Sequence, residues 1–276
     1  MAPSTVDDER NGVRMASRQS TIENLTQCFD DLETLIGSLA DDEWAVQSLC
    51  PDWTVRGVVT HLVGVEHALG GWLPATEGEP PPFHKVGEFV TDSVSWSNAE
   101  LVARTADILD VRRRDLAATT DDDFARAAMT PVGPGTYHRF MEIRVFDFWV
   151  HQRDMTTPLG RATSDGGPSA VVAVDEVDRS IGYIVGKKIG LPDGMSIAFH
   201  LTGPVERDIC VAVVGRATRV ETLDAPSVEV TTDSLTFVQL ACGRLDPQAV
   251  IDAGRITWTG DPTWGDRAAR NLTFTM

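Results

Sequence analysis

At 276 residues the chain has room for one large domain or two ordinary ones, with ample core in either case. Hydrophobic residues at 42% and charged residues at 24% are the proportions of a water-soluble globular protein, and no apolar run approaches the roughly eighteen residues of a transmembrane helix. A net charge of −17 argues against nucleic acid and against anionic lipid surfaces as partners.

The first 17 residues are polar and acidic, with no apolar segment behind them. They predict a frayed tail, no secretory signal and hence a cytoplasmic chain. In that compartment Cys28, Cys50, Cys210 and Cys242, none of them in a CxxC pair, are expected as reduced, small core residues. Ile22, Leu25, Phe29, Leu32, Leu35, Ile36 and Leu39 recur at three and four and predict a helix over 18–40. Thr54, after Pro51, is the expected N-cap of a second helix over 55–73, ended by Pro74. Trp53 beside it is expected in the core. His61 lies within the apolar region of that helix, as either a hydrogen-bonded core residue or a ligand. His67, six residues on, points nearly the opposite way and cannot serve the same site. The Pro/Gly-rich stretch 74–87 reads as a loop long enough to line a site. A third helix is predicted over 95–118, with Arg112, Arg113 and Arg114 on a solvated face, and residues 131–135 then break the chain. His84 and His138 are expected at the surface.

The fourth predicted helix, 138–155, contains no Gly or Pro and is apolar around most of its circumference. One narrow stripe is not: Arg144, Asp147, His151 and Asp154 follow one another at spacings of three, four and three, which places them on one face. Such a stripe is either the wet side of an amphipathic helix or, through Asp147 and His151, half of a metal site whose third ligand comes from elsewhere. Asp154 is then either the partner of the second ring nitrogen of His151 or a helix-terminal charge. Arg144 is the candidate cofactor-binding residue: it either pairs with Asp147 or meets a substrate carboxylate bidentately.

Residues 158–169 have the composition of a domain boundary. Beyond them a helix over 169–188 is followed by short Val-, Ile- and Thr-rich strands at 195–201, 209–214, 218–223, 227–230 and 255–258, with helices at 234–242 and 261–269. The fold class is therefore α+β in two domains: a four-helix bundle over 18–160 and a small α+β domain over 168–276.

The run Ser38-Leu-Ala-Asp-Asp-Glu-Trp44, the run Cys50-Pro-Asp-Trp-Thr-Val-Arg-Gly-Val-Val-Thr-His61-Leu-Val-Gly-Val-Glu66 and the run Arg144-Val-Phe-Asp-Phe-Trp-Val-His-Gln-Arg-Asp154 resemble the N-terminal domain of the mycothiol-dependent maleylpyruvate isomerase family. The tail from about 195, ending in Thr257-Trp-Thr-Gly-Asp-Pro-Thr-Trp264, resembles that family's C-terminal, sterol-carrier-like domain. The resemblance implies a DinB-like bundle holding one divalent metal, usually zinc, with His61, Asp147 and His151 as ligands. The family's common carboxylate is Glu, one methylene longer than the Asp found here. The resemblance also implies mycothiol, the low-molecular-weight thiol of actinobacteria, as co-substrate and a small electrophile as its target. The implied activity is a mycothiol S-transferase; the alternatives are a cis-trans isomerase of the maleylpyruvate type and a non-catalytic metal- or ligand-binding sensor. Arg207, Arg216 and Arg219 are the second domain's candidates for contacting the polar thiol. A monomer or a homodimer is expected.

Overall fold

The computed structural model describes residues 16–76 and 78–275, so most of the expected N-terminal tail lies outside the described residues. The chain parts into two compact units, one over 16–163 and one from Ser164 onwards.

The first unit is helical. Helix α1 (Arg18–Gly37) starts at Ser17, whose side chain accepts from the Ser20 amide. Helix α2 (Val55–Leu69) starts at Thr54, which accepts from Gly57. It stops four residues short of the predicted end, because Gly70 turns back onto the His67 carbonyl and Gly71 takes a left-handed φ of 66°. The stretch expected to be loop up to residue 87 instead starts a helix, α3 (His84–Ser93), as soon as the prolines end. Helix α4 (Asn98–Ala118) opens on a reciprocal capping box between Ser97 and Glu100. A single turn, α5 (Asp121–Phe124), follows.

The predicted break at 131–135 is a hairpin: β1 (Ala127–Thr130) pairs antiparallel with β2 (Gly133–Thr136). Neither Ala-Ala-Met-Thr nor Gly-Pro-Gly-Thr alternates apolar with polar residues, so no period of two marks them in the sequence. The hairpin delivers Thr136 as N-cap of helix α6 (Tyr137–Thr156), accepting from the Arg139 amide. Leu25 and Phe29 of α1, Val58 and Leu62 of α2, Leu109 and Leu116 of α4, and Met141, Val145 and Phe148 of α6 are buried together in this unit's core. All four cysteines of the chain are buried, and none is in a disulfide.

The second unit holds a five-stranded sheet in the order β5-β4-β3-β6-β7, with β3 (Ser196–Thr202) parallel to β6 (Val228–Asp233) and every other pairing antiparallel. The flanking strands are β4 (Arg207–Val214), β5 (Arg216–Val220) and β7 (Ile256–Gly260). The helix predicted over 169–188 is not continuous. It is α7 (Pro168–Arg179), a short turn α8 (Ile181–Tyr183), then a widened π-type turn over Ile184–Ile189. Within this stretch Gly182 and Gly186 let the chain pass close to Ala217 of β5, where a Cβ at either would sit 3.1–3.2 Å from it. Helices α9 (Ser234–Ala241), α10 (Pro247–Asp252) and α11 (Pro262–Arg270) complete the unit.

Candidate metal centre

Two helices supply the site. On α2, His61 stands two turns beyond the Thr54 cap. On α6, the stripe seen in the sequence faces it. His61 Nε2 is 3.5 Å from Asp147 Oδ2, and His151 Nε2 is 3.2 Å from Asp147 Oδ1. The two imidazoles stand edge to face with centroids 5.1 Å apart. Two ligand atoms at 2.0–2.1 Å from a tetrahedral zinc are about 3.3 Å apart. The two separations run to different oxygens of Asp147, and one donor atom from each residue lies within 4.8 Å of the others. His₂-carboxylate is a common zinc donor set, so the chemistry of the three residues fits a divalent ion. His61 and Asp147 keep 27% and 23% of their side-chain surface, whereas His151 keeps 8%. The site is thus open on one side.

Trp53 is not the core residue expected. Its indole stacks on His61 at 4.7 Å and 26° and lies 5.7 Å from the His151 ring, which makes it a wall of the site. Gly57 allows this, since a Cβ there would come 3.1 Å from Trp53 Cβ.

Arg144 is buried on the same stripe. It donates from Nε to Glu66 Oε1 at 2.8 Å, from Nη1 to Asp147, and from Nη2 to the Leu62 carbonyl at 3.3 Å. Glu66, with no exposed surface, also accepts from Arg112 Nε at 2.8 Å. A buried chain of alternating charge, Arg112–Glu66–Arg144–Asp147, thus ends at the candidate ligand. Arg112 corrects the sequence reading. Only Arg114 of the three arginines is exposed, and Arg113 bridges to Asp30 and Glu33 of α1. His138 is likewise half-buried, 2.9 Å from Thr21 Oγ1, whereas His84 is exposed as expected, and so is His67.

Burial opposes the charge on Asp147, but Arg144 first and His151 next outweigh it and hold the carboxyl well below the usual carboxylate range. Burial likewise opposes a proton on His151, yet Asp147, then Asp154 and Cys50, hold its ordinary value well up. Asp154 Oδ2 is 2.8 Å from His151 Nδ1, the nitrogen turned away from Asp147. In the second unit Arg207 pairs with Asp175 and Arg219 with Asp178, while Arg216 is exposed.

The chain matches the family model of the mycothiol maleylpyruvate isomerase N-terminal domain over residues 25–156 and that of the C-terminal domain over residues 171–269. Two crystal structures of the mycothiol-dependent maleylpyruvate isomerase, one of them a histidine-to-alanine variant, each superpose with a TM-score of 0.60. Each is 14% identical and covers 93% of this chain and 96% of its own, so the likeness is one of fold. No curated protein sequence matches. A helical unit followed by a mixed-sheet unit is the fold this chain shares with those two structures. The chain belongs to the mycothiol-dependent maleylpyruvate isomerase family. No helix among the described residues is long and apolar enough to cross a membrane.

Proposed function

We propose that the protein is a zinc enzyme that activates mycothiol for attack on a small electrophile, with His61, Asp147 and His151 as the metal ligands. The observation that carries the reading is the clustering of these three ligand atoms within 4.8 Å of one another. A zinc ion held by three side chains keeps an open position and would hold a thiol as its thiolate at neutral pH.

The chain's own residues prepare that position. Arg144 keeps Asp147 ionised and fixed in direction, and Glu66 and Arg112 fix Arg144 in turn. All three guanidinium nitrogens of Arg144 are engaged inside the helical unit. This favours a positioning role for it over direct contact with the thiol. Trp53 covers the face of His61 and excludes water there.

Attack by the thiol on an electrophile forms a carbon–sulfur bond. In S-transfer, our finer reading, that bond persists while the bond to the electrophile's leaving group breaks. The leaving group departs with its electron pair (chloride from a chlorobimane), and the thiol proton passes to solvent. In the second reading, favoured by the isomerases that share the fold, the thiol adds to a cis double bond, the adduct rotates, and the thiol leaves. One experiment addresses both. Zinc-loaded protein is incubated with mycothiol and either monochlorobimane or maleylpyruvate, and the products are resolved by mass. A thioether from the first that His151→Ala forms at least 100-fold more slowly supports transfer. A mass-neutral change in the second supports isomerisation, and neither product defeats the thiol-activating reading.

A further inference from the structure

Behind His151, on the side away from Asp147, lies a second cluster: Cys50 Sγ, His151 Nδ1 and Asp154 Oδ2. The three residues are 6%, 6% and 1% exposed. Asp154 Oδ2 stands 2.8 Å from His151 Nδ1 and 3.1 Å from Cys50 Sγ, and Sγ is 3.7 Å from Nδ1. Its closest pair separates it from the first cluster. At 2.8 Å, Nδ1 and Oδ2 are at hydrogen-bond distance and closer than the roughly 3.3 Å between two ligands of a tetrahedral zinc. One ring nitrogen of the imidazole meets the candidate metal ligands, and the other meets a carboxylate at hydrogen-bond distance.

The segment bearing Cys50 is built to hold it there. The Leu49 amide donates to the Asp154 carbonyl at 3.0 Å, tying this loop to the last turn of α6. Ser48 Oγ donates to the Trp53 carbonyl at 2.6 Å and accepts from the Cys50 amide at 3.1 Å. Gln47 Nε2 donates to the carbonyls of Cys50 and Trp53 at 2.7 and 2.8 Å. One knotted loop therefore touches both histidines, with Trp53 stacked on His61 and Cys50 set behind His151.

We propose that Asp154 and Cys50 are positioning residues for the metal. The Asp154 carboxylate, oriented by the Cys50 thiol, keeps the proton of neutral His151 on Nδ1 and leaves the Nε2 lone pair facing Asp147 and His61. The physical ground is that a neutral imidazole has one N–H and one lone pair, and the partner of one nitrogen decides which it presents. A thiol is a weak donor, so Cys50 refines the direction of the carboxylate while Asp154 sets the tautomer. This inference rests on the reading of His61, Asp147 and His151 as ligands.

The test is zinc affinity, measured by competition with a chromophoric chelator, beside ¹⁵N–¹H correlation spectra of the ring nitrogens in ¹⁵N-histidine-labelled, zinc-loaded protein. The wild type should carry the His151 proton on Nδ1. Asp154→Asn can donate an amide hydrogen to Nδ1 and push the proton to Nε2, so affinity should fall about 10- to 100-fold. Cys50→Ser should stay within about threefold of wild type, and Cys50→Ala should fall several-fold. A wild-type proton on Nε2 overturns the proposal without any variant. So does unchanged affinity in a folded Asp154→Asn when His61→Ala and His151→Ala have lost zinc. Retention of zinc by His61→Ala and His151→Ala would instead overturn the ligand reading beneath it.

Discussion

Each unit of the molecule buries an aspartate against arginines, and the two aspartates behave in opposite ways. Asp178 of the sheet unit is 1% exposed, 2.8 Å from Arg219 Nε and 3.9 Å from Arg207 Nη1. Burial nevertheless raises its carboxyl above the usual value, with Asp175 adding to the rise against the arginines. Asp147 of the helical unit keeps 23% of its side-chain surface and is held well below the usual range. Depth alone would place Asp178 above Asp147, but it cannot carry Asp147 below the ordinary value, because burial only raises a carboxyl. The difference lies in the cations. Arg219 and Arg207 are 16% and 23% exposed, and Arg207 divides its charge between Asp175 and Asp178. Arg144 is 3% exposed and fixed by Glu66, and His151 adds a second cation. A cation held dry and rigid acts through a lower dielectric than one that faces water.

The largest test of this contrast is Glu66→Gln. It leaves Arg112 and Arg144 buried with no carboxylate between them, and breaking a buried pair by removing one partner costs about 3–5 kcal/mol. Urea denaturation should show that loss. A cost under about 1 kcal/mol would mean that Arg144 is solvated and the contrast is mistaken.

Next is Asp147→Asn, which removes the ionised ligand while keeping its shape. Zinc affinity should fall at least about 100-fold, or roughly 2.7 kcal/mol, in a protein that still folds. Calorimetric titration reads this directly, and unchanged affinity would remove Asp147 from the ligand set.

A pH series sharpens the comparison further. In the metal-free protein the raised pKa of His151 contributes stability that is fully present below about pH 6.5 and lost as pH rises through the raised value. Zinc requires the neutral ring. Its apparent affinity should therefore climb across the same window, with proton release detectable in buffers of different ionisation enthalpy. A flat profile would contradict the assignment.

The smallest effect is expected from Asp178→Asn. Because the folded carboxyl is raised, its contribution is present below about pH 3.9 and lost as pH rises through the raised value. The variant should lack that slope and differ from wild type by about 1 kcal/mol or less near neutrality. A loss as large as that of Glu66→Gln would make the two clusters equivalent.

Much of the site could be read from spacing. The stripe on α6 and the His61 position depend on helix periodicity, which local sequence carries. Glu66 and Arg112 were legible too, although they escaped the reading of charge as surface. Glu66 sits at four and three residues from Leu62 and Leu69, and Arg112 at three and four from Leu109 and Leu116, so both occupy inward faces. Opposite charges on the apolar faces of two helices are a signature of a buried pair. Cys50 could not be found this way. It comes from a loop, and its partners lie 101 and 104 residues further along the chain. Helix α3 was hidden because it begins directly behind the Pro-rich stretch, and the hairpin before α6 because Pro and Gly fill its turn and second strand.

The donor atoms of the candidate centre come from two rods, one from α2 and two from α6. Such a set has few degrees of freedom: one separation, one rotation of each rod and one sliding coordinate. The two α6 donors are locked to each other by the pitch of a single helix, so their spacing is almost independent of packing. A deletion of one residue between Asp147 and His151 would turn one against the other by about 100°, from about 40° apart to about 60° apart on the opposite side, whereas trimming side chains between α2 and α6 would move His61 alone. For an ion bound there, size would be matched by the gap between two helices, and the apolar residues that set that gap would be the ruler by which one cation is preferred to another.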